Sequence, residues 1–172
     1  MPSLIPHAIV TAILGAALSA SAQSPSPTRP FVVEEVFAGR SEGHGTLRLG
    51  LGRPRSFAVH SEGASAPDER FRLDQDVQFD GKPSRRRTWV LWATGGGHYS
   101  ATLTDAAGPV VAHTEDNRMI LRYPLTRWGL AMRQTLVLQD AHTVINTGRI
   151  RLLGIPVGAL HEVIQLGTET RQ

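Results

Sequence analysis

The residues best suited to recognising a ligand are Gln75, Arg87, Trp89, Tyr99, Tyr123 and Asn146, polar or aromatic groups set within apolar runs. Gln75 keeps the i, i+2 spacing of Phe71, Leu73, Val77 and Phe79, so in a strand it shares their face. A polar group on an apolar face costs free energy unless it is hydrogen-bonded. Gln75 therefore either finds a partner in the core, protein or buried water, or orients a ligand headgroup. Arg87 and Trp89 share one strand face; Thr88, Val90 and Trp92 share the other. Both faces thus carry an aromatic. Arg87 can fork on a carboxylate or phosphate at a pocket mouth. Alternatively it packs over its neighbour by cation–π contact or through its aliphatic stem. Tyr99, Asp105, Tyr123 and Asn146 lie near strand ends, and Asp105, ahead of Ala106-Ala107-Gly108-Pro109, reads as a turn initiator.

Other chemistries find little support. With no cysteine, disulfides, thiolate zinc sites and cysteine nucleophiles are excluded. The seven histidines form no HExxH motif and no i, i+2 or i+4 pair, and no metal site is expected. There is no G-x-S-x-G elbow, and no phosphate-binding glycine loop precedes a helix. Asp74 and Asp76 fall on the wet face of a strand, without the desolvation that a general acid needs. The reading leans to a non-enzymatic protein without a cofactor; an enzyme acting on lipid or sugar would need a buried acid or a His–carboxylate pair inside the barrel. The net charge of +3 and pI of 10.2 reflect arginine, since Lys82 is the only lysine. Only Arg85, Arg86 and Arg87 cluster, so nucleic acid is not an expected partner.

The elements that must position these groups are strands. Phe71 to Phe79 alternates apolar and polar residues; Asp80-Gly81 supplies a turn; Thr88 to Trp92 and Tyr99 to Leu103 follow, separated by Gly95-Gly96-Gly97. Turn signals recur every eight to twelve residues from Gly43 onward. Strands are expected at 45–51, 55–61, 69–79, 87–93, 98–104, 109–113, 118–123, 130–139, 142–151 and 155–166. Phe31 to Phe37 fits one helical turn or a strand. Short connections place sequence neighbours side by side, and closure removes both sheet edges. The fold class is all-β: a single antiparallel up-and-down β-barrel of about 8–10 strands, spanning 31–166. Its interior is either filled by side chains or open to one small ligand.

The amino terminus reads as a signal peptide over 1–22. Ala8 to Leu18 is apolar but short for a bilayer, and Ala20-Ser21-Ala22 is a small-x-small cleavage pattern. The segment before it has no Lys or Arg, which leaves an uncleaved anchor as the alternative. A Pro/Ser linker follows over 23–30, and the polar residues 167–172 form a disordered tail. The expected location is periplasmic or secreted, with membrane association only through an uncleaved signal.

Phe37-Ala38-Gly39-Arg40, then Phe79-Asp80-Gly81 with Arg86-Arg87-x-Trp89, then Gly97-His98-Tyr99 and Leu121-x-Tyr123-x-Leu125, form an ordered series that resembles the DUF3833 family of bacterial proteins. Phe37-Ala38-Gly39-Arg40, Gly43, Gly45 and Arg55-x-Phe57-x-Val59 are similar to its opening. Phe79-Asp80-Gly81 with Arg86-Arg87-x-Trp89 is similar to its most recognisable block. Gly97-His98-Tyr99, Asp105, Gly108, Leu121-x-Tyr123-x-Leu125, Asn146 and Gly154-Ile155-x-Val157-Gly158 continue the order. The resemblance covers residues 35 to 166. An acidic pair followed by Trp-Met, frequent in that family after the Tyr-x-Leu strand, is missing: Arg133 to Leu138 occupies its place, and Trp128 lies earlier. The resemblance implies a lipocalin-like barrel among envelope-associated proteins, with no assigned catalytic residue and an associational link to lipid modification. The function expected is binding of a small apolar or amphipathic ligand such as a fatty acyl chain. The alternative is a structural or interaction protein of the envelope with a filled barrel.

Overall fold

The computed structural model describes residues 29–167. A short helix, α1 (Val33–Val36), precedes ten strands: β1 (Gly39–Leu49), β2 (Arg55–Ser65), β3 (Phe71–Phe79), β4 (Arg85–Gly95), β5 (His98–Leu103), β6 (Val110–Glu115), β7 (Arg118–Pro124), β8 (Leu130–Leu138), β9 (Thr143–Leu152) and β10 (Ile155–Leu166). Each strand pairs antiparallel with its sequence neighbours. β1 also pairs with β10, Gly43 opposite Ile164, and this closes the barrel. Closure satisfies the backbone donors and acceptors that two free edges would expose.

Alternation explains the walls. In β3, Phe71 and Leu73 point inward and are buried, while Arg72 is exposed. Gln75, Val77 and Phe79 continue the inward row. The Asp80-Gly81 turn forms as its sequence requires: Gly81 has φ +69°, and the Lys82 amide donates to the Phe79 carbonyl at 3.0 Å. The sheet begins earlier than its periodicity suggests. β1 starts at Gly39, not at 45, because its inward residues Ser41, Gly43 and Gly45 are small and carry no apolar signal.

The two ends of the barrel differ. Phe31 to Phe37, ambiguous in period, folds as a helical turn that places Phe31, Val33, Val36 and Phe37 in the core. The Phe31 amide donates to the Asp116 carbonyl at 2.7 Å, and the Phe31 and Phe37 rings lie 6.0 Å apart. This plug closes the end where β1 begins. The β2–β3, β4–β5, β6–β7 and β8–β9 turns surround it. The other five connections ring the opposite end, which is open.

Candidate functional site

Three layers stack along the barrel axis. Nearest the plug is a residual chamber of about 50 Å³, walled by apolar side chains including Val33, Leu91, Met119 and Leu136. At the open end is a cup of about 750 Å³, walled largely by apolar side chains including Leu47, Val77, Leu103, Met132, Ile150 and Leu160. Arg87 and Glu162 line both spaces, and a polar belt crosses the lumen at their level.

Gln75 organises one side of this belt. It stands opposite Ser61 on β2 and Arg87 on β4. Its Oε1 accepts from Arg87 Nε and from Trp89 Nε1, each at 2.8 Å, and its Nε2 donates to Ser61 Oγ at 3.0 Å. The buried Trp89 ring meets Tyr123 edge-on at 5.5 Å, and the Arg87 guanidinium lies 5.9 Å from the Trp89 centroid. The Tyr123 hydroxyl donates to Gln134 Oε1 at 3.0 Å, and burial pushes the Tyr123 phenol up to about 12.

Glu162 holds the other side. Only 4% exposed, it accepts from Asn146 Nδ2 at 2.8 Å. Burial raises its carboxyl above the ordinary glutamate range; the Asn146 hydrogen bond and the Arg87 and His44 charges pull the other way. β1 makes room for it: a Cβ at Gly43 would overlap the Glu162 carboxylate. Among the described residues Asn146 Oδ1 is buried without a hydrogen-bond partner, and Asn146 lines the inner chamber. Arg87 forms no ion pair among the described residues, and its side chain borders the cup.

Gln75, Arg87, Trp89, Tyr123 and Asn146 are thus brought to one level of the lumen. Tyr99 is not. It sits at the plugged end, where its hydroxyl donates to Glu34 Oε2 of α1 at 3.2 Å, and its phenol is raised by burial and by the Glu34 charge. Trp92 lies on the outer wall beneath Arg70, 5.2 Å from its guanidinium, which assigns the two aromatic faces of β4. Asp74 and Asp76 also lie outside. Hydrogen bonds from Arg72 and Thr88 lower Asp74, and one from Arg86 lowers Asp76. Asp105 pairs with Arg85 at 3.4 Å on the rim. Among the described residues no group of three or more metal-ligating side chains converges.

Glu162, Gln134 and Ser61 are members of the belt that the sequence reading missed. The signal for Glu162 was present: Leu160, Glu162 and Ile164 keep the spacing that singled out Gln75. Met132, Gln134 and Leu136 do the same on β8.

Several solved structures share this fold. An S-type phycobiliprotein lyase, CPES, from Guillardia theta superposes with a TM-score of 0.63 at 8% identity, covering 79% of this chain and 91% of its own. A protein of unknown function from the DUF3598 family of Nostoc punctiforme gives 0.61 at 15% identity, covering 85% of this chain and 53% of its own. Rv2717c from M. tuberculosis gives 0.59 at 14% identity, covering 76% of this chain and 92% of its own. At such identities the likeness is one of fold. No curated protein matches the chain in sequence. Residues 10–166 match the family described as protein of unknown function (DUF3833), and the chain belongs to that family.

Proposed function

We propose that the barrel binds a small amphipathic molecule, an acyl chain or similar apolar body bearing an anionic group. The observation that carries this reading is the open cup: about 750 Å³ of largely apolar wall ending on Arg87 and Glu162. That volume lies within the roughly 300–1,000 Å³ typical of ligand sites. Each methylene moved from water into the cup contributes about 0.8 kcal/mol before the costs of binding. Arg87 spends its Nε on Gln75, which fixes the guanidinium plane and leaves the terminal nitrogens for a carboxylate or phosphate. The ligand enters from water, polar end first, and its apolar body lies along Leu103, Met132, Ile150 and Leu160. No residue is assigned a covalent or acid–base step. The phycobiliprotein lyase likeness is compatible with a barrel that receives a small molecule. The export expected from the sequence would place this activity in the periplasm or outside the cell.

A fluorescent fatty acid with a free carboxylate, titrated alongside its neutral methyl ester, tests the reading. The expected result is saturable binding of the acid, weakened about tenfold by Arg87→Gln, with the ester less affected. Tenfold corresponds to the loss of one charge-assisted hydrogen bond, about 1.4 kcal/mol. Absence of saturable uptake, or equal uptake of acid and ester unchanged by Arg87→Gln, refutes it. The filled-barrel alternative is favoured only by the plugged half, where about 50 Å³ remains.

A further inference from the structure

We infer that the open rim of the barrel docks onto the surface of a bilayer containing anionic phospholipid, so that the cup opens at the membrane. Exposed large apolar side chains are concentrated there. Leu51 is fully exposed, Trp128 is 84% exposed and Leu153 is 78% exposed, with Leu49, Leu152 and Ile155 beside them. Among the described residues the one other exposed large apolar side chain is Val111, on the outer wall. Leu51, Trp128 and Leu153 lie in the β1–β2, β7–β8 and β9–β10 connections, with Leu49, Leu152 and Ile155 at the strand ends beside them, and these connections adjoin one another because the strand order runs β2-β1-β10-β9-β8-β7 around the barrel.

These connections are joined to one another. The Leu153 amide donates to the Gly129 carbonyl at 3.0 Å, and the Gly50 amide to the Val157 carbonyl at 2.7 Å. Gly129 lies so close to Leu153 that a Cβ there would overlap the leucine side chain. The apolar tips therefore form one surface.

Two further observations select a membrane as the occupant. Residues 49–55, 124–130 and 149–156 hold Arg53, Arg55, Arg127, Arg149 and Arg151 and no acid. The acids of the open end, Asp80 and Asp105, lie on the β3–β4 and β5–β6 connections, on the other side of the rim, and the turns of the plugged end hold Asp68, Glu69, Asp116 and Asp140 beside one arginine, Arg70. The barrel thus presents cations and apolar tips together on one side of its open end. That combination suits anionic headgroups over an acyl boundary, with Trp128 at the interface. Second, Leu153 has φ +48° ahead of Gly154 at +88°, so the β9–β10 turn holds a leucine in the left-handed region. Asn or Gly fills that position without strain, and Leu contributes nothing to the turn itself. What it adds is an apolar side chain that lies against Gly129 and leaves most of its surface to solvent.

The inference stands on the rim and is separable from the contents of the cup. The test uses the full chain with vesicles of phosphatidylcholine, alone or mixed with phosphatidylglycerol, some carrying brominated acyl chains. Trp128 fluorescence is expected to be quenched by brominated vesicles containing phosphatidylglycerol, and the quenching to be lost in Trp128→Phe and weakened by salt. Leu51→Asn and Leu153→Asn should each lower vesicle affinity about tenfold. Leu153→Asn should do so while its thermal midpoint is held or raised, which separates docking from misfolding. Both variants should still take up the water-delivered fatty acid. Unquenched Trp128 with every vesicle, or wild-type vesicle affinity in both Asn variants, overturns the inference. A dimer in sedimentation that Leu51→Asn dissociates, with no vesicle binding, also overturns it and assigns the rim to a second copy of the chain.

Discussion

Gln75 is the keystone of the belt, and its removal has a cost that can be worked out group by group. Gln75→Leu keeps side-chain size and deletes three hydrogen bonds, from Arg87 Nε, from Trp89 Nε1 and to Ser61 Oγ. The buried indole N–H finds no other acceptor and is left unpaired, at about 1–3 kcal/mol. Arg87, half-buried beside the cup, turns to water and loses nearer ~0.5 kcal/mol. The Ser61 hydroxyl rotates to another partner at a similar cost of about 0.5 kcal/mol. Burial of the leucine methyls returns about 1 kcal/mol. The expected net destabilisation is about 2 kcal/mol, read as a shift in the urea midpoint with an unchanged slope. Trp89→Phe removes the stranded donor itself. The double variant Gln75→Leu/Trp89→Phe should therefore cost less than the sum of the singles by about 1 kcal/mol. Trp92 and Trp128 remain as fluorescent reporters. Additive singles, or a Gln75→Leu protein as stable as wild type, would show that the belt is not a coupled network and that Arg87 is not held by Gln75.

Glu162 gives the opposite pH signature to the surface acids. Its native pKa lies above the ordinary glutamate value, so between those two values the native state holds a proton that the unfolded chain releases. Its contribution to stability is greatest below the ordinary value and falls as pH rises through the raised one. Glu162→Gln should remove that fall in urea midpoints measured across acid to neutral pH; identical slopes for the two proteins refute it. Asp74, Asp76 and Asp140, all lowered, act in the other direction and are common to both proteins. Tyr99 and Tyr123, the only tyrosines, are both raised, Tyr123 to about 12. The native phenolate absorbance should therefore develop at higher pH than in urea-unfolded chain, and superposed titrations contradict the burial of both hydroxyls. Gly63→Ala should destabilise by about 1–3 kcal/mol, because the added Cβ overlaps the Phe37 backbone carbonyl and lies 2.6 Å from the Phe71 ring. Unchanged thermal stability in that variant shows that the plug does not press on β2.

The strands were legible because alternation at period two is a local signal, clear in Phe71 to Phe79, and because turn signals bound apolar runs such as Thr88 to Trp92. Gln75 was legible for the same reason, as a polar residue in an apolar row. Glu162 was equally legible between Leu160 and Ile164, yet a carboxylate on a strand is more readily read as solvent-facing. The evidence that it points inward lies on another strand. Gly43 and Gly45 clear space for it, and only the β1–β10 register, with Gly45 opposite Glu162, connects them. The plug was ambiguous because a four-residue helix shows barely one period. The division of the lumen was not legible at all. The inward residues around the cup are as large as those around the filled half, so side-chain volume does not announce the hollow. It follows from α1 covering one end while no described segment covers the other.

The belt also explains why the cup does not collapse. Apolar walls facing water cost about 25 cal/mol per Å², a steady drive toward closing the mouth. Closing it would bring the half-buried Arg87 out of water, at several kcal/mol for an ionised group. Arg87 has no ion-pair partner among the described residues to repay that cost. The charge at the floor and the apolar wall above it therefore oppose each other, and the open state satisfies both only while water reaches the guanidinium. An occupant that expels this water must replace it with an acceptor. A purely apolar molecule would gain the wall and strand Arg87; a purely polar one would satisfy Arg87 and leave the wall wet. The geometry favours a molecule carrying both parts in one chain.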